Sequence, residues 1–210
     1  MRFHTVGNES GKVIVLIHGM LNPWQIWQDV ADAFSKEYYV VIPELDAHTQ
    51  GEASDFISVE DEARKIHDYL IQNFGGKLYM ICGLSMGGRI AATLAGMQDI
   101  STEYLILDGA PLLPMPKIMI RFMMGSYIKI IQKSRKRDPK VLESFKKDFL
   151  PERYLDDFLK LADYMDEQSI KNILSSVFSA FEFKRYEDSC KILFMHGTKG
   201  NESVSKKAAI

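Results

Sequence analysis

The chain has 210 residues and a mass of 24.0 kDa, a length typical of one domain with a substantial hydrophobic core. Hydrophobic residues make up 46% of the sequence and charged residues 26%, which excludes intrinsically disordered and fibrous proteins. The 26 lysines and arginines nearly balance the 28 aspartates and glutamates, so the overall charge does not favour a nucleic-acid partner.

The two cysteines, Cys82 and Cys190, are too few for a disulfide framework or a four-ligand zinc site, which suits a reducing compartment. No apolar h-region of a secretory signal follows Met1, and no apolar run approaches the ~20 residues that span a bilayer. These observations predict a cytoplasmic protein without stable membrane insertion. The sequence indicates no cofactor and no metal site, and it does not define an oligomeric state.

Five short apolar runs predict buried strands, and amphipathic helical patterns separate the first four. The runs are Val13–Ile17, residues 38–42, 78–82 and 104–107, and Lys191–Met195. Each is continuously apolar, as expected for a parallel strand covered on both faces. The second helix is predicted to begin after the capping residue Ser58 and to end at Gly75-Gly76. The alternation predicts an α/β protein with a doubly wound, mostly parallel sheet.

The alternation stops after the fourth predicted strand. Residues 112–186 show only helical patterns, so roughly seventy-five residues separate the fourth and fifth predicted strands, far more than an ordinary connection. Helical spacing of Phe158, Leu161 and Met165 argues against a linker. We expect residues 1–111 and 187–210 to form the sheet domain, and residues 112–186 to form a helical cap over its carboxyl edge.

The most informative segment is Gly83-Leu84-Ser85-Met86-Gly87, where an apolar strand runs into G-x-S-x-G and then into a helix. A turn tight enough to expose the Ser85 hydroxyl leaves room only for small residues two positions before and after it. The Met86 N–H would then lie at a helix N-terminus, where it can donate to a developing oxyanion. The alternative is a turn without chemical importance, but the flanking strand and helix favour a nucleophile.

A second segment, His18-Gly19-Met20, follows the first predicted strand. It leaves the sheet at the same edge as Ser85, because parallel strands present their carboxyl ends together. The Met20 N–H is therefore predicted to be the second oxyanion donor. We interpret His18 as a hydrogen-bonded loop residue rather than as a base.

These segments resemble the α/β-hydrolase superfamily, in particular its small esterases and monoacylglycerol-lipase-like serine hydrolases. The matching segments are Leu16-Ile17-His18-Gly19-Met20 with Trp27, Pro43-Glu44-Leu45-Asp46-Ala47-His48, Gly83-Leu84-Ser85-Met86-Gly87-Gly88, Leu105-Ile106-Leu107-Asp108-Gly109-Ala110-Pro111, and the fifth predicted strand with His196-Gly197-Thr198-Lys199. The resemblance covers about residues 13–199, and the inserted helices match only in kind. It implies Ser85 as the nucleophile and the Met20 and Met86 amides as the oxyanion hole.

The resemblance leaves two candidates for the catalytic acid, because the family's usual position is occupied here by Gly200. Glu202 is the first candidate, through a shift of one or two residues along the same loop. Asp108 is the alternative, since some family members carry their acid at the end of the preceding strand. Each also has a structural interpretation, as a solvated side chain at a helix start for Glu202 and as a loop-stabilising carboxylate for Asp108.

The catalytic histidine of the family follows one more helix and one more strand, whereas the sequence stops at Ile210. His18, His48 and His196 follow strands and therefore lie on the same rim as Ser85, but each has a structural interpretation. We expect the natural protein to continue beyond Ile210 and to supply the base there. The alternative is a chain that has lost its triad.

The predicted cap begins with a run of large apolar residues that includes Met119 and Met123. Methionine packs adaptably, so the run either holds the cap to the sheet or forms an acyl pocket in which Met119 and Met123 bind substrate. Residues 129–148 carry eight lysines and arginines against three acids. Such a run is typical of a solvated face, and alternatively of contact with an anionic lipid or an anionic substrate group.

These features predict a serine hydrolase that cleaves a small-molecule carboxylic ester or thioester with an apolar acyl group. Ser85 would carry the acyl-enzyme, and water would release the acid. Two alternatives remain open. An acyltransferase would use the same Ser85 with an acceptor other than water, and a non-catalytic binding protein would keep the pocket without turnover.

Overall fold

The computed structural model describes residues 1–182 and 189–197. The strands of these segments are β1 (Arg2–Gly7), β2 (Val13–Ile17), β3 (Tyr39–Glu44), β4 (Lys77–Leu84), β5 (Ser101–Asp108) and β6 (Lys191–Met195). The α-helices are α1 (Gln28–Phe34), α2 (Val59–Phe74), α3 (Met86–Ala95), α4 (Lys117–Arg135), α5 (Pro139–Asp148), α6 (Leu155–Ala162) and α7 (Glu167–Val177). Short 3-10 helices cover Trp24–Trp27 and Glu152–Tyr154.

The strands form one sheet in the order β1-β3-β2-β4-β5-β6. Strands β2 to β6 are parallel and correspond to the five predicted strands, so the predicted α/β class is confirmed. Strand β1, which pairs antiparallel with β3 along its whole length, is not among the predicted strands. Its residues mix polar and apolar types and none of them is buried, so the strand is defined by main-chain pairing rather than by an apolar run.

Helix α2 begins and ends where its sequence signals predict. The Ser58 hydroxyl accepts a hydrogen bond from the Asp61 N–H at 3.1 Å, which satisfies one amide of the first turn. Gly75 ends the helix with a φ of +63°, a conformation that favours glycine. Helix α3 begins at Met86, directly after Ser85, and ends at Ala95.

Two cores cover the two faces of the sheet, and consecutive residues of β2 alternate between them. Ile14 and Leu16 belong to the smaller core, beneath α1 and the tryptophans of the 3-10 helix. Val15 and Ile17 belong to the larger core, against α2 and α3. All residues of β2 are buried, which explains the continuous apolar run.

The sheet order places a crevice at the carboxyl ends of β2 and β4. The chain moves from β2 to β3 on one side and then crosses to β4 on the other side of β2. The loops that follow β2 and β4 therefore leave the sheet in diverging directions, and ligands of open α/β sheets bind at such a point. Both sequence segments of interest, those around Met20 and Ser85, lie at this point.

Helices α4 to α7 separate β5 from β6 in the chain. Helix α4 contacts α6 and α7, and α7 also contacts α2. The buried Arg89 of α3 connects this helical region to the sheet, because its guanidinium donates to the carbonyls of Pro111, Ser179 and Ala180. Within the described ranges, no helix is both long enough and apolar enough to cross a membrane.

Candidate active site

Ser85 occupies a tight turn between β4 and α3. Its φ is +51° and its ψ is −115°, a conformation that is strained for a residue with a side chain. The Ser85 N–H donates to the Asp108 carbonyl at 2.7 Å, and its carbonyl accepts from the Gly88 and Arg89 N–H groups at 2.9 and 3.2 Å. The residue is exposed although Met86 beside it is buried, so the turn presents the hydroxyl to solvent.

The two glycines that flank Ser85 are required by close main-chain packing. A Cβ on Gly83 would lie 2.6 Å from the Gly88 nitrogen and closer still to the Gly87 carbonyl. A Cβ on Gly87 would lie 2.5 Å from the His18 carbonyl oxygen and closer still to that of Ile17. Because these neighbours are backbone atoms, neither position accommodates a side chain without movement of the sheet.

The Met20 and Met86 main-chain amides lie at the same crevice as Ser85. Neither N–H donates a hydrogen bond to any residue that the structure describes. Both residues line one cleft together with Ser85, and a Cβ built on Gly19 would lie 3.5 Å from the Ser85 Cβ. Two unpaired N–H groups beside a serine hydroxyl form an arrangement that can stabilise an oxyanion.

Two buried histidines fasten the loops after β2 and β3 to each other. His18, on the first loop, accepts at Nε2 from the Leu45 N–H at 3.2 Å. His48, on the second loop, accepts at Nε2 from the Leu21 N–H at 3.0 Å. Leu21 has a φ of +61°, so His48 stabilises a strained residue directly after Met20.

Both histidines are neutral near pH 7. Burial, with the nearby His48, lowers the pKa of His18 to about 3, and burial lowers the pKa of His48 to about 4. Each Nδ1 lies within 3.1 Å of a main-chain carbonyl and therefore carries the proton. Because each Nε2 lone pair already accepts a main-chain N–H, neither ring acts as a base toward Ser85.

The remaining histidines also have other partners. His4 Nε2 lies 3.0 Å from a Glu44 carboxylate oxygen, and the ring stacks on Trp24. His67 bonds the Asp68 carboxylate and the Gln98 main-chain carbonyl, while His196 Nδ1 lies 2.8 Å from the Gly197 carbonyl. Among the described residues, no histidine forms a hydrogen bond with the Ser85 hydroxyl.

Of the two candidate acids, only Asp108 can be placed. It ends β5, pairs in register with Leu84 of β4, and is partly exposed. Its main-chain carbonyl holds the Ser85 N–H, so Asp108 has a structural role at the turn whatever its carboxylate does. Glu202 lies outside the described residues.

A cleft of about 660 Å³ opens above Ser85. Its lining contains five methionines and few polar side chains. The lining residues are Met20, Ser85, Met86, Gly109, Ala110, Pro111, Leu112, Leu113, Pro114, Met115, Pro116, Met119, Phe122, Met123, Tyr127, Ile173, Leu174, Val177 and Phe178. Met119 and Met123, the two predicted substrate-binding residues, therefore face the same cleft as Ser85.

Several lining residues are not predicted from the sequence, notably Tyr127 and those of α7. Tyr127 lies one turn beyond Met123 on α4, so the spacing of 119, 123 and 127 could have identified it. Burial raises the pKa of Tyr127, so the phenol is neutral and can donate a hydrogen bond inside the cleft. The α7 residues carry no such signal, because their helix is distant in sequence.

One group of carboxylates has a spacing that could hold a metal ion. Oxygens of Asp46, Asp61 and Glu62 lie within 4.8 Å of one another. Lys65 Nζ, however, lies 2.5 Å from Asp46 and 2.6 Å from Asp61, and the Met1 amino group also pairs with Asp46. Burial and the Asp46 charge raise the pKa of Glu62 to about 8. Two cations already balance this cluster, so we assign no metal to it.

Residues 12–182 match the family model described as the alpha/beta hydrolase fold, and the chain belongs to this family. The match includes the Ser85 turn and the loop that carries Met20.

Individual relatives agree with the family. An AB hydrolase superfamily protein from Gibberella zeae is 27% identical over 108 residues, which cover 51% of this chain and 38% of that protein. The match thus spans little more than a third of this relative's length. An alpha/beta hydrolase family protein from Desulfitobacterium hafniense superposes with a TM-score of 0.69 at 18% identity, covering 99% of this chain and 96% of its own. A marine microorganism esterase gives 0.68 at 18% identity, covering 92% and 78%. The two structures show the shared fold.

Proposed function

We propose that the chain is a serine hydrolase that cleaves a carboxylic ester or thioester with an apolar acyl group. The observation that carries this proposal is the exposed Ser85 hydroxyl on a strained turn, at the base of an apolar cleft and beside two unpaired main-chain amides. An apolar cleft with few polar groups favours an acyl chain over a charged or sugar-like substrate. The likeness to an esterase fold agrees with this class of substrate.

In the proposed reaction, Ser85 Oγ attacks the substrate carbonyl carbon and its proton passes to a base. The carbonyl oxygen becomes an oxyanion that accepts hydrogen bonds from the Met20 and Met86 N–H groups, each contributing on the order of 3 kcal/mol to the transition state. Collapse expels the alcohol or thiol and leaves an acyl ester on Ser85. Water then attacks this ester and releases the carboxylic acid.

The helices between β5 and β6 would serve as a cap in this reaction. We propose the division suggested by the sequence, with residues 1–111 and 187–210 as the sheet domain and residues 112–186 as the cap. The cap contributes Met119 and Met123 to the cleft, where their flexible side chains would pack against acyl chains of different shape. For the acid we propose Glu202, with Asp108 as the alternative.

A second candidate function is the binding of an apolar ligand without turnover. The observation in its favour is that no described histidine reaches the Ser85 hydroxyl. A serine without a base is a poor nucleophile, because its proton has no acceptor in the transition state. The cleft would then hold a ligand of the same apolar character.

A fluorophosphonate probe with hydrolysis of an ester series distinguishes the two candidates. We expect the probe to label the protein, Ser85→Ala to remove the label, and the matched exposed-serine variant Ser10→Ala to retain it. Turnover of p-nitrophenyl esters should require Ser85 and should rise from acetyl to longer acyl chains. Absence of both Ser85-dependent label and turnover, together with saturable binding of a fatty acid, would establish the binding protein instead.

A further inference from the structure

The outer face of α4 exposes large apolar side chains to solvent. Phe122 is 79% exposed and Ile118 is 75% exposed, the highest values among the large apolar residues described. The two lie one turn apart and therefore on one side of the helix. Leu113 and Met119, at 40% and 52%, extend this patch. Contiguous exposed apolar surface of this kind marks an interaction site.

The charge of the same helix has one sign. Helix α4 contains five lysines and arginines and no aspartate or glutamate. All five are exposed, but the Arg135 guanidinium donates to the carbonyls of Ala162 and Met165 and is thus engaged within the chain, which leaves four other cations. These four are Lys117, Arg121, Lys129 and Lys133, and within the described part of the chain none of them forms an ion pair.

This face is continuous with the entrance to the cleft. Phe122 and Met119 are both exposed and cleft-lining, and Leu113 also belongs to both. A partner that covers the patch would therefore lie at the entrance of the cleft above Ser85. The patch and the site are parts of one surface.

We infer that the outer face of α4 docks the protein onto an anionic lipid bilayer and so brings membrane-dissolved esters to the cleft. Exposed apolar side chains next to cations are the combination that binds an anionic lipid interface, with the apolar groups entering the acyl boundary. A second copy of the chain is disfavoured, because a symmetric contact would bring the same cations together. The contact is peripheral, since no described helix could span a bilayer.

The delivery of membrane-dissolved esters rests on the proposed esterase function, but binding of the protein to lipid is tested without catalysis. Ser85→Ala protein is mixed with vesicles of phosphatidylcholine alone or with phosphatidylglycerol as about a third of the lipid, and co-sedimentation is measured. We expect binding to the anionic vesicles, weak binding to the neutral ones, and release in high salt because screening weakens the attraction.

Two variants and two matched controls locate the surface. Lys129→Glu/Lys133→Glu should weaken vesicle binding by about 25-fold or more, since each cation near an anionic surface contributes about fivefold. Ile118→Gln should weaken it about tenfold, because an apolar group no longer enters the lipid. The controls Lys36→Glu/Lys77→Glu and Ile57→Gln change exposed residues elsewhere by the same chemistry and should bind as the parent does.

Several outcomes would overturn the inference. Equal binding to neutral and anionic vesicles, or the same loss in the control variants as in the α4 variants, would remove the role of this face. If light scattering shows that the parent protein is a dimer and that Ile118→Gln makes it a monomer, the patch binds a second copy of the chain instead of lipid. Vesicle binding by Ser85→Ala with no ester turnover by the parent would refute the proposed function while leaving the docking surface intact.

Discussion

The Ser85 turn and helix α4 form two walls of one cleft and differ in how much space surrounds their glycines. Around the turn, main-chain atoms pack so closely that Gly83 and Gly87 have no space for a Cβ. At Gly125 of α4, no described atom outside the adjacent helix backbone lies within 4 Å of where a Cβ would be. Chemistry at a hydroxyl needs a fixed geometry, whereas apolar chains of different shape are bound by adaptable side chains. Close packing at the turn and free space at Gly125 are consistent with these two requirements.

The largest expected effect is that of Gly87→Ala in the tightly packed wall. The new Cβ would meet the carbonyls of Ile17 and His18, which are backbone atoms of β2 and its loop. We expect the free energy of unfolding to fall by about 3–4 kcal/mol, since strand and helix must separate. Urea denaturation measures this loss. A loss below about 1 kcal/mol would show that the turn accommodates a Cβ with little rearrangement and is not more tightly packed than α4.

Arg89 links α3, which begins at the Ser85 turn, to the two ends of the helical region that contains α4, so its removal should uncouple that region from the sheet. It donates from α3 to the carbonyls of Pro111, Ser179 and Ala180, and its guanidinium lies 4.2 Å from the centre of the Phe181 ring. Burial lowers the pKa of Arg89, although the charge of Glu60 partly offsets this.

We expect Arg89→Ala to lower the free energy of unfolding by about 2–3 kcal/mol, because buried carbonyls lose a charged donor. Arg89→Lys keeps the charge but not the planar fork and should recover only part of the loss. Hydrogen exchange should increase in α7 more than in β4. Uniform acceleration in both elements would contradict the role of Arg89 as a link between the helical region and the sheet.

These effects also show which parts of the molecule a sequence can reveal. Strands β2 to β6 are predictable because each buries a continuous run, and Ser85 is predictable because its constraints are local, within two residues on either side. Strand β1 is not predictable in this way, because none of its residues is buried and it therefore has no apolar run. His18 accepts from the Leu45 N–H and His48 accepts from the Leu21 N–H, and each pair lies 27 residues apart in the sequence. Local sequence patterns do not show such bonds between loops.

The histidine pair gives the third prediction, a pH dependence within the tightly packed wall. His48 has a native pKa of about 4, lowered by burial, against 6.5 for the unfolded chain. Below pH 6.5 the unfolded state therefore takes up a proton first, and the contribution of His48 to stability is lost as the pH falls toward 4. By pH 5 this loss is roughly 2 kcal/mol.

His48→Gln removes the titration and keeps an oxygen that can accept the Leu21 N–H. We expect the difference in free energy of unfolding between parent and variant to change by roughly 2 kcal/mol between pH 7 and pH 5. The parent should be the more strongly destabilised by acid. At pH 8 His48 is neutral in both the folded and the unfolded state, so the difference in stability between parent and variant at this pH measures the hydrogen bond to the Leu21 N–H alone. Parallel pH profiles would show that His48 is protonated without cost in the folded protein.

The smallest expected effect, and the only gain, is that of Gly125→Ala on the exposed side of α4. Gly125 lies inside α4 and is exposed, and no described atom outside the adjacent helix backbone lies within 4 Å of its Cβ position. Alanine loses less backbone entropy than glycine when a helix forms, so the free energy of unfolding should rise by about 0.5–1 kcal/mol. The same glycine-to-alanine change would thus stabilise one wall of the cleft and destabilise the other. Urea denaturation of Gly87→Ala and Gly125→Ala under one set of conditions measures the two changes in the free energy of unfolding. A loss of stability in Gly125→Ala would mean that α4 packs closely against a neighbouring surface at Gly125, as the Ser85 turn does at Gly87.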